Sequence, residues 1–171
     1  MKIKVNPKGV QPMILYHGSS VEVKEPRLLK IQRELDFGKG FYTTSDLEQA
    51  SRWAKRTAQR LKQETAFVSV YEIDDAVMKT LNCLEFQKSD VEWLKFVVSN
   101  RKGIAVEGNW DIIIGPVAND RTAPVIDLYV DGMYDEEETI KRLLPQNLKD
   151  QYVFKTTIAI QSLHFKEAII L

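Results

Sequence analysis

The sequence predicts an α+β fold, on three observations. Short runs rich in β-branched and aromatic residues recur at 14–17, 41–44, 66–73, 110–114, 151–155 and 165–171, each about the length of one strand. Two longer segments, opening at Ser45 and Ser89, carry apolar residues at helical spacing behind a Ser/Glu capping pair. Strands and helices do not alternate regularly, which disfavours a doubly wound parallel sheet. With 171 residues, 44% of them apolar, the chain is long enough to bury a core as one domain. Residues 1–12, ending in Gly9 to Pro12, read as a tail or edge strand, and 13–171 as the domain.

Taken in order, residues 14–17 form a short buried strand, and the polar stretch 18–36 is mostly loop. Residues 41–44 form the second strand. Ser45 and Glu48 stand as a capping box for a helix whose inner face is Leu47, Ala50, Ala54, Ala58 and Leu61. Asp46 and Glu48 in its first turn, and Arg56, Arg60 and Lys62 toward its end, complement the helix dipole. Residues 66–73 are a strand and 84–86 a short one. Ser89 with Glu92 opens a helix to about residue 100, with Val91, Leu94, Val97 and Val98 inward. Residues 110–114 are a strand stopped by Gly115-Pro116. Residues 122–130, with Pro124 near the start, suit a helix or, by their β-branched content, a strand. Asp135 caps a helix over 136–144, ended by Pro145, and 151–155 and 165–171 are closing strands.

Composition excludes several function classes. Lys plus Arg number 24 and Asp plus Glu number 24, so no net field draws the chain to nucleic acid or to a membrane surface. The single cysteine, Cys83, forms no internal disulfide and suggests a reducing compartment. No signal-peptide pattern or membrane-spanning run is visible, and a cytoplasmic protein is expected. Two histidines, His17 and His164, show no metal-ligand spacing, so no metal is expected. There is no G-x-S-x-G nucleophile elbow, P-loop or dinucleotide fingerprint.

What remains is a pair of unusual strand ends. Tyr16-His17-Gly18-Ser19 closes the first strand, and Phe37-Gly38-Lys39-Gly40-Phe41-Tyr42 leads into the second. A glycine after His17 admits a ligand close to the backbone, whose N–H and C=O suit a flat amide. A neutral imidazole accepts or donates one hydrogen bond to a ribose hydroxyl. Tyr42 and, eleven residues on, Trp53 are placed to flank a slot for a planar ring. Each residue alone has an ordinary alternative: His17 packed at a strand end, Tyr42 and Trp53 as core aromatics.

Together these motifs resemble the ADP-ribosyltransferase superfamily, in its poly(ADP-ribose) polymerase-like and diphtheria toxin-like His-Tyr-Glu branch, and in particular a set of small bacterial members. His17-Gly18 matches its first motif and Gly38, Gly40 and Tyr42 its second; Trp53 falls where a further aromatic stacks on nicotinamide. Members often carry a small hydroxyl residue near the position of Ala50. Asp150-Gln151-Tyr152-Val153-Phe154 resembles the strand bearing the catalytic glutamate, and it places Gln151 at that position; a plain closing strand with Gln151 facing solvent is the alternative.

The resemblance implies split antiparallel sheets with NAD+ as co-substrate in the cleft between them. It further implies His17, Tyr42 and Gln151 as catalytic residues, and His17, Gly18, Ser19, Gly38, Gly40, Tyr42 and Trp53 as cofactor contacts. Arg33 and Lys39 are candidates for the diphosphate. The implied activity is mono-ADP-ribosyl transfer to a macromolecular acceptor, protein or nucleic acid, by a bacterial toxin of a toxin–antitoxin or defence system, with a cognate antitoxin masking the cleft in the former case. An NAD+ glycohydrolase and an inactive module that binds NAD+, ADP-ribose or a partner protein are the alternatives.

Overall fold

Among the described residues the short β-branched runs form seven strands, in two sheets rather than one. The structure is a computed structural model that describes residues 11–30, 35–104, 106 and 108–171. Of the expected tail, residues 1–10 lie outside the described residues, as does Arg33. The first sheet has the order β1 (Met13–Ser19), β3 (Phe67–Ile73), β7 (His164–Ile170), with antiparallel pairing throughout. The second has the order β2 (Phe41–Thr43), β6 (Asp150–Phe154), β5 (Ile112–Pro116), β4 (Cys83–Glu85). Both α+β character and two sheets are therefore present. The expectation of purely antiparallel sheets needs one correction, because β4 runs parallel to β5. The physical reason is the connection between them: α3 (Val91–Arg101) carries the chain back across, and a helical crossover of this kind delivers a strand in parallel.

Alternation along the strands sets the layers. On β5, Ile112 and Ile114 join Leu15, Tyr71 and Ile73 of the first sheet, and this apolar cluster fills the space between the sheets. Ile113 points the other way, into a cluster with Trp93, Leu94 and Val97 of α3, Ile126 of α4 (Ala123–Val130) and Leu143 of α5 (Glu136–Leu143). On the far face of the first sheet, α1 (Leu47–Arg60) lays Ala50, Ala54 and Ala58 against Val68. Strands β3 and β5, with period two, thus each serve two clusters. Segment 122–130 is helical, with Pro124 in its first turn. Two short helices, α2 (Asp75–Met78) and α6 (Thr157–Gln161), have no counterpart in the sequence reading.

Both expected capping boxes shift by one residue. The N-cap of α1 is Asp46, whose Oδ1 accepts from the Gln49 N–H at 2.7 Å. The N-cap of α3 is Asp90, accepting from the Trp93 N–H at 3.1 Å. Aspartate caps at least as well as serine, and each serine is engaged elsewhere. The Ser45 hydroxyl donates to Asp150 and the Ser89 hydroxyl to the Leu143 carbonyl. The inner face of α1 is also shorter than expected, since Leu47 and Leu61 at its ends are exposed.

The sheets touch edge to edge at one bridge, Tyr16 with Thr44. There the Tyr16 N–H donates to the Thr44 carbonyl at 2.8 Å, and the Thr44 N–H donates back at 3.0 Å. This bridge brings the end of β1 beside β2. Among the described residues no helix is long and apolar enough to cross a membrane.

Candidate functional site

Beside that bridge opens a cavity of about 800 Å³. Its walls come from the end of β1, the loop after it, β2, α1, the end of α3 and the β5–β6 edge. His17, Gly18, Ser19, Gly40, Tyr42, Trp53 and Gln151 all line it. These residues span 134 positions of sequence, so the fold, not chain proximity, assembles them.

Gly18 has a structural reason to be glycine. A Cβ built there would lie 2.0 Å from the Ala50 carbonyl oxygen and 2.7 Å from the Ala54 nitrogen, both backbone atoms of α1. The close approach of α1 to β1 is what puts Trp53 on the same cavity as His17. Strand geometry also orients the Gly18 backbone. Alternate residues of an antiparallel strand turn N–H and C=O to the same side. Tyr16 turns both toward β2, so Gly18 does too, past the end of the bridge and at the cavity.

His17 is fixed by two contacts. Its Nδ1–H donates to the Tyr42 carbonyl at 2.7 Å, and its ring stacks on Phe41 with centroids 4.2 Å apart. A carbonyl only accepts, which settles the neutral tautomer and leaves Nε2 as a hydrogen-bond acceptor. Burial pulls the His17 pKa below its ordinary value of 6.5, although the bond to the Tyr42 carbonyl works the other way. The imidazole is neutral at physiological pH.

Tyr42 is held by its hydroxyl rather than free to donate it. The phenol donates to the Gly38 carbonyl at 2.6 Å and accepts from the Phe37 N–H at 3.1 Å. Burial, the largest influence, drives its pKa far upward, so it is no proton source. What Tyr42 offers the cavity is ring surface. Gly38 itself is absent from the cavity lining. It makes the turn, with φ of 73°, a conformation that glycine adopts without penalty.

Gln151 is only 1% exposed, which overturns the reading of a solvent-facing side chain. Its Nε2 donates to the Pro116 carbonyl at 3.3 Å. Because that carbonyl cannot donate, the amide orientation is determined, and the oxygen is the group available to accept from a hydroxyl. The neighbouring Asp150 points to the opposite face, as strand alternation requires. There it accepts from the Ser45 N–H at 2.9 Å and from the Thr44 hydroxyl at 3.2 Å, locking β6 to the start of α1.

A family model described as protein of unknown function (DUF3990) matches residues 13–165. The chain belongs to the DUF3990 family. No curated protein matches it. The matched span of this DUF3990 chain contains every residue that lines the cavity.

Of the two cations singled out from sequence for a diphosphate, Arg33 lies outside the described residues and Lys39 is not part of the DUF3990 site. Lys39 is exposed and absent from the cavity lining; Arg27, Arg56, Arg60 and Arg101 line it instead. Arg56 pairs with Asp120 at 2.5 Å and Arg27 with Glu25 at 3.3 Å, while Arg60 makes no ion pair among the described residues. Among the described residues the cavity's carboxylates are Glu25 and Asp36, both arginine-bound, Asp36 to the Arg101 Nε at 2.7 Å.

Sequence reasoning missed Arg101 and Asp36 because they sit 65 positions apart in segments that carry no motif. The one signal was Arg101 at the end of a predicted helix, where a basic residue is ordinary. Ala50 is fully buried beneath Gly18; the hydroxyls that reach the cavity belong to Ser19 and Thr57. Asp111 does not line the cavity; it accepts from the Thr156 hydroxyl at 2.7 Å and the Asn82 N–H at 2.9 Å.

Proposed function

We propose that this chain is an NAD+-dependent mono-ADP-ribosyltransferase with an ADP-ribosyltransferase-like fold, and that the cavity is its donor site. One observation carries the reading. The strand-end His17-Gly18, Tyr42 on the second strand, Trp53 on the first helix and Gln151 on a late strand line a single cavity. Its volume of about 800 Å³ falls within the range of small-molecule and cofactor sites.

In this reading the nicotinamide ring lies between the faces of Tyr42 and Trp53. The outward-turned N–H and C=O of Gly18 pair with its carboxamide, and His17 Nε2 accepts from a ribose hydroxyl. Arg60, free of an ion pair among the described residues, meets the diphosphate with paired N–H donors. Breaking the nicotinamide–ribose bond builds positive charge on the ribose, as in glycoside cleavage. The Gln151 amide oxygen presents the negative end of a dipole and accepts from a second ribose hydroxyl.

A full carboxylate at about 4 Å would contribute roughly 4 kcal/mol at intermediate dielectric, and an amide only part of that. The acceptor in this reading is a macromolecule, protein or nucleic acid, and a cognate antitoxin covering the cleft follows from the resemblance alone. The arginine-bound state of Glu25 and Asp36, the cavity carboxylates among the described residues, favours a second reading, an NAD+-binding module without turnover.

Both readings require NAD+ binding, and calorimetric titration tests it. Wild type binds NAD+, free nicotinamide competes, and Trp53→Ala weakens binding up to about tenfold through lost stacking. Equal affinity in wild type and a folded Trp53→Ala variant would falsify the ring slot.

A further inference from the structure

The Tyr42 ring owes its orientation to a turn, and the turn is held from outside. Residues 35–38 close with the Gly38 N–H donating to the Leu35 carbonyl at 2.9 Å. The Gly38 carbonyl and the Phe37 N–H then grip the Tyr42 hydroxyl from both sides. Two elements outside the turn fasten it. From the C-terminal end of α3, the Arg101 Nε donates to Asp36 Oδ1 at 2.7 Å, and the Asn100 amide donates to the Asp36 carbonyl at 3.2 Å. From the residue after β6, Lys155 Nζ donates to the Phe37 carbonyl at 2.6 Å.

The Arg101–Asp36 pair is an ion pair in direct contact with the turn, and its partners are largely withdrawn from solvent, with side chains 27% and 14% exposed. A charge-assisted bond there is stronger than an exposed ion pair. The more distant Asp127, 3.6 Å from Arg101 Nη1, lies on α4 and is mostly exposed.

We propose that Arg101 is a positioning residue for the aromatic slot: acting through Asp36, it fixes the 35–38 turn, and the turn fixes the Tyr42 ring. The inference rests on the donor-site reading for its consequence in NAD+ binding, but the clamp itself is a property of the fold. It predicts that Tyr42 is more than a flat surface. Phenylalanine would keep the ring and lose both hydroxyl bonds to the turn, leaving the ring free to tilt.

The test uses the full chain labelled with 3-fluorotyrosine. Six tyrosines give six fluorine resonances, and Tyr42→Phe identifies the one from Tyr42. In Asp36→Asn and Arg101→Ala, the Tyr42 resonance shifts or broadens, while the resonance of Tyr134, whose ring packs under Arg142, stays in place. Arg101→Lys restores part of the wild-type signal by returning the charge. NAD+ affinity falls about tenfold in Asp36→Asn, equivalent to about 1.4 kcal/mol, and by a similar factor in Tyr42→Phe. The double variant Asp36→Asn/Arg101→Ala loses no more than Arg101→Ala alone.

An unmoved Tyr42 resonance in both Asp36→Asn and Arg101→Ala overturns the clamp. So does weakened NAD+ binding in Arg101→Ala with wild-type binding in Asp36→Asn, which would make Arg101 a direct ligand contact. If wild type binds no NAD+, the donor-site reading fails, and the fluorine signals still decide the clamp. Melting temperatures of the variants show whether each is folded when measured.

Discussion

The two halves of the cavity are built in different ways. On one wall, His17, Gly18, Tyr42 and Trp53 come from residues 17–53 and are held by short-range geometry: one bridge between strands, one carbonyl, one helix pressed onto a glycine. On the other wall, Gln151 and Arg101 depend on partners 35 and 65 positions away, Pro116 and Asp36. The first wall is set mainly by backbone contacts, with the Tyr42 ring held in addition by its hydroxyl on the 35–38 turn. The second is set by polar side chains, whose bonds are directional and can be exchanged one at a time. The comparison teaches that a change of shape at Gly18 must move backbone, whereas the polar contacts of the second wall, and of the turn that holds Tyr42, are open to adjustment by single substitutions.

The sharpest way to break the first wall is Gly18→Ala. The added methyl meets backbone atoms at 2.0 and 2.7 Å, so α1 must move rather than a flexible side chain. We expect a loss of about 3 kcal/mol or more, since overpacking against main chain has no easy relief. Chemical denaturation measures it, and a loss below about 1 kcal/mol would show that α1 sits loosely on β1.

Next in size is Gln151→Glu. The carboxylate cannot donate to the Pro116 carbonyl and would be buried against a lone pair. A cost of about 1–3 kcal/mol at neutral pH follows from leaving these polar groups unmatched. Burial would raise the folded-state pKa of the new carboxyl above its unfolded value. The folded protein then binds more protons between those two values, so the variant loses stability as pH rises through that window and regains it on acidification. Stability measured from pH 4 to 8 checks this. A variant as stable as wild type throughout would mean that the amide is not matched to Pro116.

The smallest of the three effects concerns His17. Its folded-state pKa lies below 6.5, so the unfolded chain binds more protons just below that pH. Acidification through 6.5 therefore costs wild type stability, by about 1 kcal/mol for each pH unit over which the two states differ in protonation. His17→Gln removes this component. Parallel acid profiles for the two proteins would place the imidazole in a solvated setting instead.

Much of this fold was legible in the sequence, for physical reasons that also mark the limits. The strands at 66–73 and 110–114 announce themselves because both of their faces are buried and β-branched residues fill them. The α1 stripe of Ala50, Ala54 and Ala58 is periodic because a strand packs close against it. The caps were displaced by one residue because Asp46 and Asp90 compete with the adjacent serines, and the winner depends on whether a distant acceptor claims the serine hydroxyl. Helices α2 and α6, at four and five residues, are too short to show a period. Within the site, the glycines and aromatics of the first wall stand out by type and spacing. Arg101 and Asp36 do not, because a charged pair joined only in three dimensions leaves no local pattern. Gln151 lay between: its place on the strand was readable, its burial and its bond to Pro116 were not.

The central claim is that the cavity between these walls holds NAD+ and cleaves it. Nicotinamide release from NAD+ by the purified chain, alone and with a cell lysate as acceptor source, tests that most directly. The account predicts release by wild type that is lost in a folded Trp53→Ala variant. NAD+ left intact by wild type under both conditions would contradict it.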